Sequence, residues 1–86
     1  MITSEQARMA RAALQVGVRQ IAALAQVTPN TVSRFENGID VMAGTVRKLE
    51  KVYLDAGIEF IPESDGKGPG VRLTRPVQDD KTDGSA

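Results

Sequence analysis

Residues 28–38 read TPNTVSRFENG and predict one short helix with both ends marked. Thr28 can accept a hydrogen bond from the first free N–H groups of a helix, and Pro29 suits the first helical position, where no N–H is needed. Gly38 supplies the left-handed residue that commonly follows a helix. Val32 and Phe35 lie three residues apart and therefore share the inner face of this helix.

The outer face of this helix is polar, and its residues are Asn30, Thr31, Ser33 and Arg34. Asn can pair bidentately with adenine, Arg with guanine, and Ser or Thr with either base. The structural alternative is the solvated face of an amphipathic helix, with Arg34 paired to Asn30 or Glu36. We expect Glu36 itself to be a structural partner of an Arg or of a helix-end N–H group.

The preceding residues 17–27, GVRQIAALAQV, predict a second short helix and its turn. Ile21, Ala22 and Ala25 mark the inner face of this helix, and Val27 fills the turn. The two small Ala side chains allow a close crossing with the next helix. A helix, a tight turn and a capped helix with an exposed polar face form the helix-turn-helix arrangement.

This segment resembles the phage-repressor-like (Cro-like, XRE) helix-turn-helix family of transcriptional regulators. The matching residues are Ile21-Ala22, Val27-Thr28 and the run 31–38, TVSRFENG. The resemblance covers roughly residues 3–57 and implies a mainly α fold, a five-helix DNA-binding domain. The sequence departs from the family's pattern at Gly17, Val18 and Gln26, where a Ser or Thr cap, a Gln and a Gly are typical.

The resemblance implies that the capped helix enters the major groove of DNA. The residues predicted to contact DNA are Thr28, Asn30, Thr31, Ser33, Arg34 and Asn37, together with Arg19 of the preceding helix. Asn37 also serves the end of its helix. Arg8 and Arg11, on an outer face of the first helix, are either solvated or contact phosphate.

The sequence itself indicates two further helices, one before and one after this pair. Thr3 and Gln6 form a capping-box pair, and the first helix then runs to about Leu14. Its predicted inward residues are Ala10, Ala13 and Leu14. The last helix is predicted to be capped by Thr45 and to end at Gly57, with an inward face of Val46, Leu49, Val52, Tyr53 and Ala56.

The sequence after Gly57 switches to the alternation of β-strands. Residues 58–62 and 71–75 predict an antiparallel hairpin around a loop of about eight residues. The chain is thus divided into a helix-turn-helix domain (1–57), a short C-terminal β-hairpin (58–75) and a disordered tail (76–86). A two-stranded ribbon is unstable alone.

The hairpin is therefore the predicted dimerisation element. Its alternating apolar residues, the expected dimer interface, are Ile58, Phe60, Val71 and Leu73. The alternative is a hairpin that folds back on its own helices, with a dimer formed through residues 46–56 or only on DNA.

Composition argues against an enzyme. The 86 residues include no His and no Cys, so the common nucleophile–base pairs cannot be built, and we expect neither a cofactor nor a metal site. Residues 3–57 carry seven basic and five acidic side chains, and residues 58–86 carry four and six. This balance is too weak to indicate nucleic acid by itself. With no long apolar run and no signal peptide, a cytoplasmic protein is expected.

These observations predict a sequence-specific regulator of transcription that binds a palindromic operator as a homodimer. Repression is the commoner outcome in the family that the sequence resembles, although activators occur. The alternative is a protein-binding module, such as an antitoxin or an antiactivator, built on the same fold.

Overall fold

Four helices precede a two-stranded antiparallel sheet in the computed structural model, which describes residues 1–77. The elements are α1 (Ser4–Leu14), α2 (Val18–Ala25), α3 (Pro29–Glu36), α4 (Ala43–Asp55), β1 (Ile58–Ile61) and β2 (Gly70–Leu73). Helix α2 packs against α3 and α4, whereas α1 packs against α3 and β2, so several of the main contacts join elements that are not consecutive in the sequence.

The expectation of five helices is wrong, because residues 1–77 form four. That number came from the family resemblance and not from a fifth segment with helical periodicity. Only residues 56 and 57 separate α4 from β1, and Gly57 there has a φ of +102°. The backbone turns at this left-handed residue and enters the hairpin at once. The broader expectation, a mainly helical domain followed by a hairpin, fits the structure.

Helix α1 begins with the capping box that the sequence predicts. Gln6 N–H donates to Thr3 Oγ1, and Thr3 N–H donates to Gln6 Oε1, each at 3.0 Å. The inner face is turned relative to the prediction, because Ala10 is buried but Ala13 is exposed. Gln6 and Ala7 are buried instead of Ala13. The buried face of α1 therefore lies nearer the start of the helix, next to the capping box.

Helix α4 begins earlier than predicted. Its N-cap is Met42, which supplies no side-chain cap, and its first residue is Ala43 rather than a residue after Thr45. The Met42 carbonyl accepts hydrogen bonds from Thr45 N–H at 2.9 Å and Val46 N–H at 3.1 Å. The helix is therefore capped by a backbone carbonyl, which leaves no recognisable capping residue in the sequence. The prediction that Thr45 caps α4 is wrong.

The core is largely aliphatic and lies between the helices and one face of the hairpin. Its buried apolar residues are Ile2, Ala7, Ala10, Ile21, Ala22, Ala25, Val32, Phe35, Val46, Leu49, Tyr53 and Ile58. The Tyr53 and Phe60 rings meet edge to face, with centroids 6.1 Å apart, which joins α4 to β1. Val52 and Ala56 of α4, both expected to face inward, are only partly buried.

The hairpin is fixed to the helices by hydrogen bonds as well as by packing. Its strands pair in the register Ile58 with Leu73 and Phe60 with Val71, and residues 62–69 form the loop. Gln6 Nε2 of α1 donates to the carbonyls of Ile61 and Gly70, each at 3.0 Å. The side chain that caps α1 therefore also clamps the loop end of the hairpin.

This packing corrects the expected role of the hairpin's apolar residues. Ile58 is only 1% exposed and belongs to the core of its own chain. Phe60, Val71 and Leu73 are partly buried and pack against the same core. The helices therefore cover Ile58 almost completely and the other three side chains only in part. A dimer interface that needs Ile58 at the surface does not fit this structure.

The expected disordered tail, residues 76–86, lies mostly outside the described residues. Pro76 and Val77 are exposed, and the rest of the expected disordered tail, residues 78–86, lies outside the described residues. Among residues 1–77, none of the helices has both the length and the apolar composition needed to cross a membrane.

Candidate nucleic-acid interface

The two central helices, α2 and α3, are joined by a tight turn of three residues, 26–28. Gln26 adopts the left-handed conformation (φ 60°, ψ 45°), which costs a non-glycine residue roughly 1–2 kcal/mol. Val27 N–H donates to the Ala22 carbonyl at 3.0 Å and closes the end of α2, while the Val27 side chain is partly buried. The departure at Gln26 thus leaves the turn intact.

Both ends of α3 have the caps that the sequence predicts. Thr28 Oγ1 accepts the Thr31 N–H at 3.2 Å, and Pro29 occupies the first turn. At the other end Gly38 has a φ of +82°, and the following N–H, of Ile39, donates to the Arg34 carbonyl at 2.9 Å. Local residues therefore set the length and limits of α3.

The two faces of α3 differ as expected. Val32 is fully buried and Phe35 is 8% exposed, which confirms both as core residues. Asn30 and Arg34 are exposed and lie four residues apart, so they share the outer face of the helix. No ion pair involves Arg34 within residues 1–77, and the alternative of a pair with Glu36 is wrong.

Glu36 instead pairs with Arg11 of α1. Arg11 Nε donates to Glu36 Oε2 at 2.8 Å, and Arg11 Nη2 donates to Oε1 at 2.9 Å, a bidentate arrangement. Arg8 Nη1 also donates to the Glu36 carbonyl. The structural role expected for Glu36 is confirmed, and neither alternative for Arg11 holds, since its guanidinium is engaged by α3.

The ion pair is electrostatically coupled to the core. The hydrogen bond that Arg11 donates to the Glu36 carboxylate is the main cause that raises the pKa of Arg11. Burial raises the pKa of Tyr53 to about 12, and the Glu36 charge adds to the effect. The Tyr53 hydroxyl is buried and has no hydrogen-bond partner within the described residues. The charges of Glu36 and Arg11 thus both act on the Tyr53 phenol.

The other residues predicted to contact DNA lie along α2 and α3. Arg19 is exposed at the second position of α2, and Asn37 is exposed as the C-cap of α3. Ser33 and Thr31 are partly buried, and Thr31 Oγ1 lies 2.9 Å from Thr28 Oγ1 in a hydrogen bond. The sequence analysis missed this hydrogen bond between the two hydroxyl groups. A Thr three residues after a Thr cap is the pattern that could have indicated it.

The charged residues that follow α3 differ in exposure and in ion pairing. Arg47 and Lys48 of α4 are exposed, whereas Lys51 pairs with Asp55 at 3.0 Å. Asp40 is exposed in the connection between α3 and α4. Within residues 1–77, Arg47 and Lys48 are therefore exposed cations without an ion pair, and Asp40 is an exposed carboxylate that precedes them.

Comparison with known proteins gives no assignment, since no protein-family model and no curated protein matches this chain.

Proposed function

We propose that this protein is a sequence-specific DNA-binding regulator of transcription, related to the phage-repressor-like helix-turn-helix family and acting in the cytoplasm as a homodimer. The observation that supports the proposal best is the outer face of α3. Asn30 and Arg34 are exposed there, while the inner face of the helix is held by Val32, Phe35 and Glu36. A rigid helix that presents an amide and an unpaired guanidinium suits the major groove.

In this mechanism α3 lies in the major groove and the rest of the domain sets its depth and angle. The Arg34 guanidinium pairs with O6 and N7 of a guanine, and the Asn30 amide pairs with N6 and N7 of an adenine. Arg19 and Asn37 are exposed on α2 and at the end of α3, and in this arrangement they would contact phosphates. Phosphate contacts fix the register of the helix, and base contacts select the sequence.

Two copies of the chain would bind a palindromic operator with half-sites about 34 Å apart. Occupation of such a site at a promoter blocks polymerase, so repression is the outcome we propose. The net charge of the chain is zero, so we expect its overall, non-specific attraction to DNA to be weak. Base contacts must then supply an unusually large share of the affinity.

The test is selection of bound DNA from a random pool by the full chain, followed by mobility-shift titration of the selected site. We expect one recurrent palindromic sequence and a folded Arg34→Ala variant that binds it more weakly and has lost the preference at one base pair. Lys51→Ala is a matched control, because Lys51 is an exposed cation already paired with Asp55. Failure of the folded protein to select any sequence, even at low salt, would overturn the proposal.

A protein-binding module is the second candidate, and one observation favours it. Leu24 of α2 is 67% exposed and borders an open depression lined by Val52, Asp55 and Ala56. Exposed apolar surface of this kind often marks a protein contact. An antitoxin or antiactivator would bind its protein partner through this surface. Leu24→Ser would then abolish that binding, whereas a DNA-binding regulator would select the same DNA with or without the change.

A further inference from the structure

An open depression lies where the start of α1, the middle of α4 and the hairpin come together. Its charged lining consists of two carboxylates, Glu50 of α4 and Glu63 of the hairpin loop. Its apolar lining is formed by Met1, Ile2, Phe60, Pro62 and Pro69. Neither α3 nor Leu24 lines it, so this depression is separate from the two surfaces on which the proposed functions depend.

Neither carboxylate is paired within the described part of the chain. Among residues 1–77 no arginine, lysine or terminal amine forms an ion pair with Glu50 or Glu63. Arg47, three residues before Glu50 on α4, is exposed and is not paired with it. Glu63 is exposed, whereas Glu50 is partly buried. Because a partly buried charge is less well hydrated, Glu50 gains more than an exposed carboxylate from a cation that another molecule supplies.

The lining indicates which kind of cation fits. No group of three metal-ligating side chains occurs within residues 1–77, so the two carboxylates do not suit a metal ion. The depression is open and partly apolar, which suits a side chain carried on an apolar segment of another protein better than a small enclosed ligand. A guanidinium meets both requirements, because it pairs with carboxylates and stacks on aromatic rings such as that of the partly exposed Phe60.

We propose that this depression is a docking surface for a partner protein that presents an arginine flanked by apolar residues. The arginine pairs with Glu50, and Glu63 adds a second negative charge at the rim. The flanking apolar side chains contact Met1, Phe60 and the two prolines. This interaction goes beyond the proposed DNA binding and does not depend on it, because it uses no residue of α3.

The test uses two capped pentapeptides that differ in one residue. One has an arginine with two leucines on each side, and the other has citrulline in its place, which keeps the shape and removes the charge. Each is titrated into the isotope-labelled full chain, and amide chemical shifts report the site and the dissociation constant. We expect the arginine peptide to shift the amides of Thr3, Glu50, Phe60 and Glu63. It should bind about tenfold more tightly than the citrulline peptide, a factor equal to ~1.4 kcal/mol.

Variants of the chain assign the charge that is recognised. Glu50→Gln keeps the shape of the side chain, and we expect it to bind the arginine peptide about tenfold more weakly and to bind the two peptides alike. Its free energy of unfolding should not fall, because no ion pair is lost. Asp40→Asn is the matched control, since Asp40 is an exposed carboxylate that does not line the depression, and both affinities should be unchanged.

Several outcomes would overturn the proposal. Equal binding of the two peptides by the unchanged protein, or no binding at millimolar concentration, removes the guanidinium from recognition whatever the variants do. An equal loss in Asp40→Asn and Glu50→Gln would show non-specific attraction, and shifts confined to residues around Leu24 would place the contact elsewhere. If dilution of the chain alone shifts the amides of Thr3 and Phe60, a second copy fills the depression and the partner protein is excluded.

Discussion

The ion pair between Arg11 and Glu36 should be stabilising in an asymmetric way. The side chain of Glu36 is 6% exposed and that of Arg11 is 29% exposed. The Glu36 charge therefore relies on its partner for solvation more than the Arg11 charge does. Arg11→Met leaves a carboxylate stranded among core residues. Glu36→Gln leaves a guanidinium that still reaches water and still finds an amide oxygen. We expect the first change to lower the free energy of unfolding more than the second.

The magnitudes follow from burial. Removing one partner of a buried pair costs about 3–5 kcal/mol, and the stranded Glu36 puts Arg11→Met in that range. Weakening a hydrogen bond to a charged group costs about 1.5–3 kcal/mol, and the exposure of Arg11 puts Glu36→Gln at the lower end. Total stability of a small domain is about 5–15 kcal/mol, so Arg11→Met approaches unfolding. The double variant Arg11→Met with Glu36→Leu should recover most of the loss, because no charge is left buried.

Urea denaturation followed by circular dichroism measures these differences at neutral pH. Asp55→Asn is the matched control, because it breaks an ion pair with Lys51 whose side chains are 66% and 76% exposed, and it should change the free energy of unfolding little. Equal losses from Arg11→Met and Glu36→Gln would refute the reasoning. So would a double variant that is less stable than Arg11→Met alone.

Three further predictions follow from single side chains. Arg34→Ala should weaken binding to the selected site by about 1–3 kcal/mol and relax preference at one base pair without changing the melting temperature; an unchanged ranking of sites would exclude Arg34 as a reader. Tyr53 is the single Tyr, so its ultraviolet titration should have a midpoint near 12. Because that folded pKa lies above the unfolded value of about 10, its contribution to stability is full below pH 10 and disappears as the pH rises through about 12, a loss that Tyr53→Phe should remove. A midpoint near 10 would place the phenol in water. Asp40→Lys should tighten binding to all DNA sequences alike and steepen the dependence of affinity on salt concentration. If the variant and the unchanged protein bind with equal affinity at low salt, the connection between α3 and α4 lies away from DNA.

The parts of the fold that sequence predicts well are those set by neighbouring residues. The limits of α3 follow from Thr28 and Gly38, and the hairpin follows from alternation around a polar loop. The start of α4 could not be found in this way, because Met42 caps it through its backbone carbonyl alone. Ile58 likewise has the same alternating pattern whether its partner is a second chain or its own core.

The candidate site was predictable to a similar extent. An amphipathic pattern assigns Asn30 and Arg34 to the outer face without reference to the rest of the chain. The partner of Glu36 is Arg11, which lies 25 residues away, and no local pattern relates them. Arg11 therefore looked like a surface residue in the sequence. The hydrogen bond between the Thr28 and Thr31 hydroxyl groups joins residues three apart, so a local pattern could have indicated it.

The coupling between stability and recognition determines how binding data on this protein must be interpreted. Phe35 and Glu36 adjoin Arg34 in the sequence but are buried, so changes at either residue would move α3 or unfold the domain and abolish binding without any lost base contact. A change at Asn30 or Arg34 removes groups that the core does not use. Loss of specificity at an unchanged free energy of unfolding therefore identifies a reader. Loss of affinity that scales with lost stability identifies a support of α3.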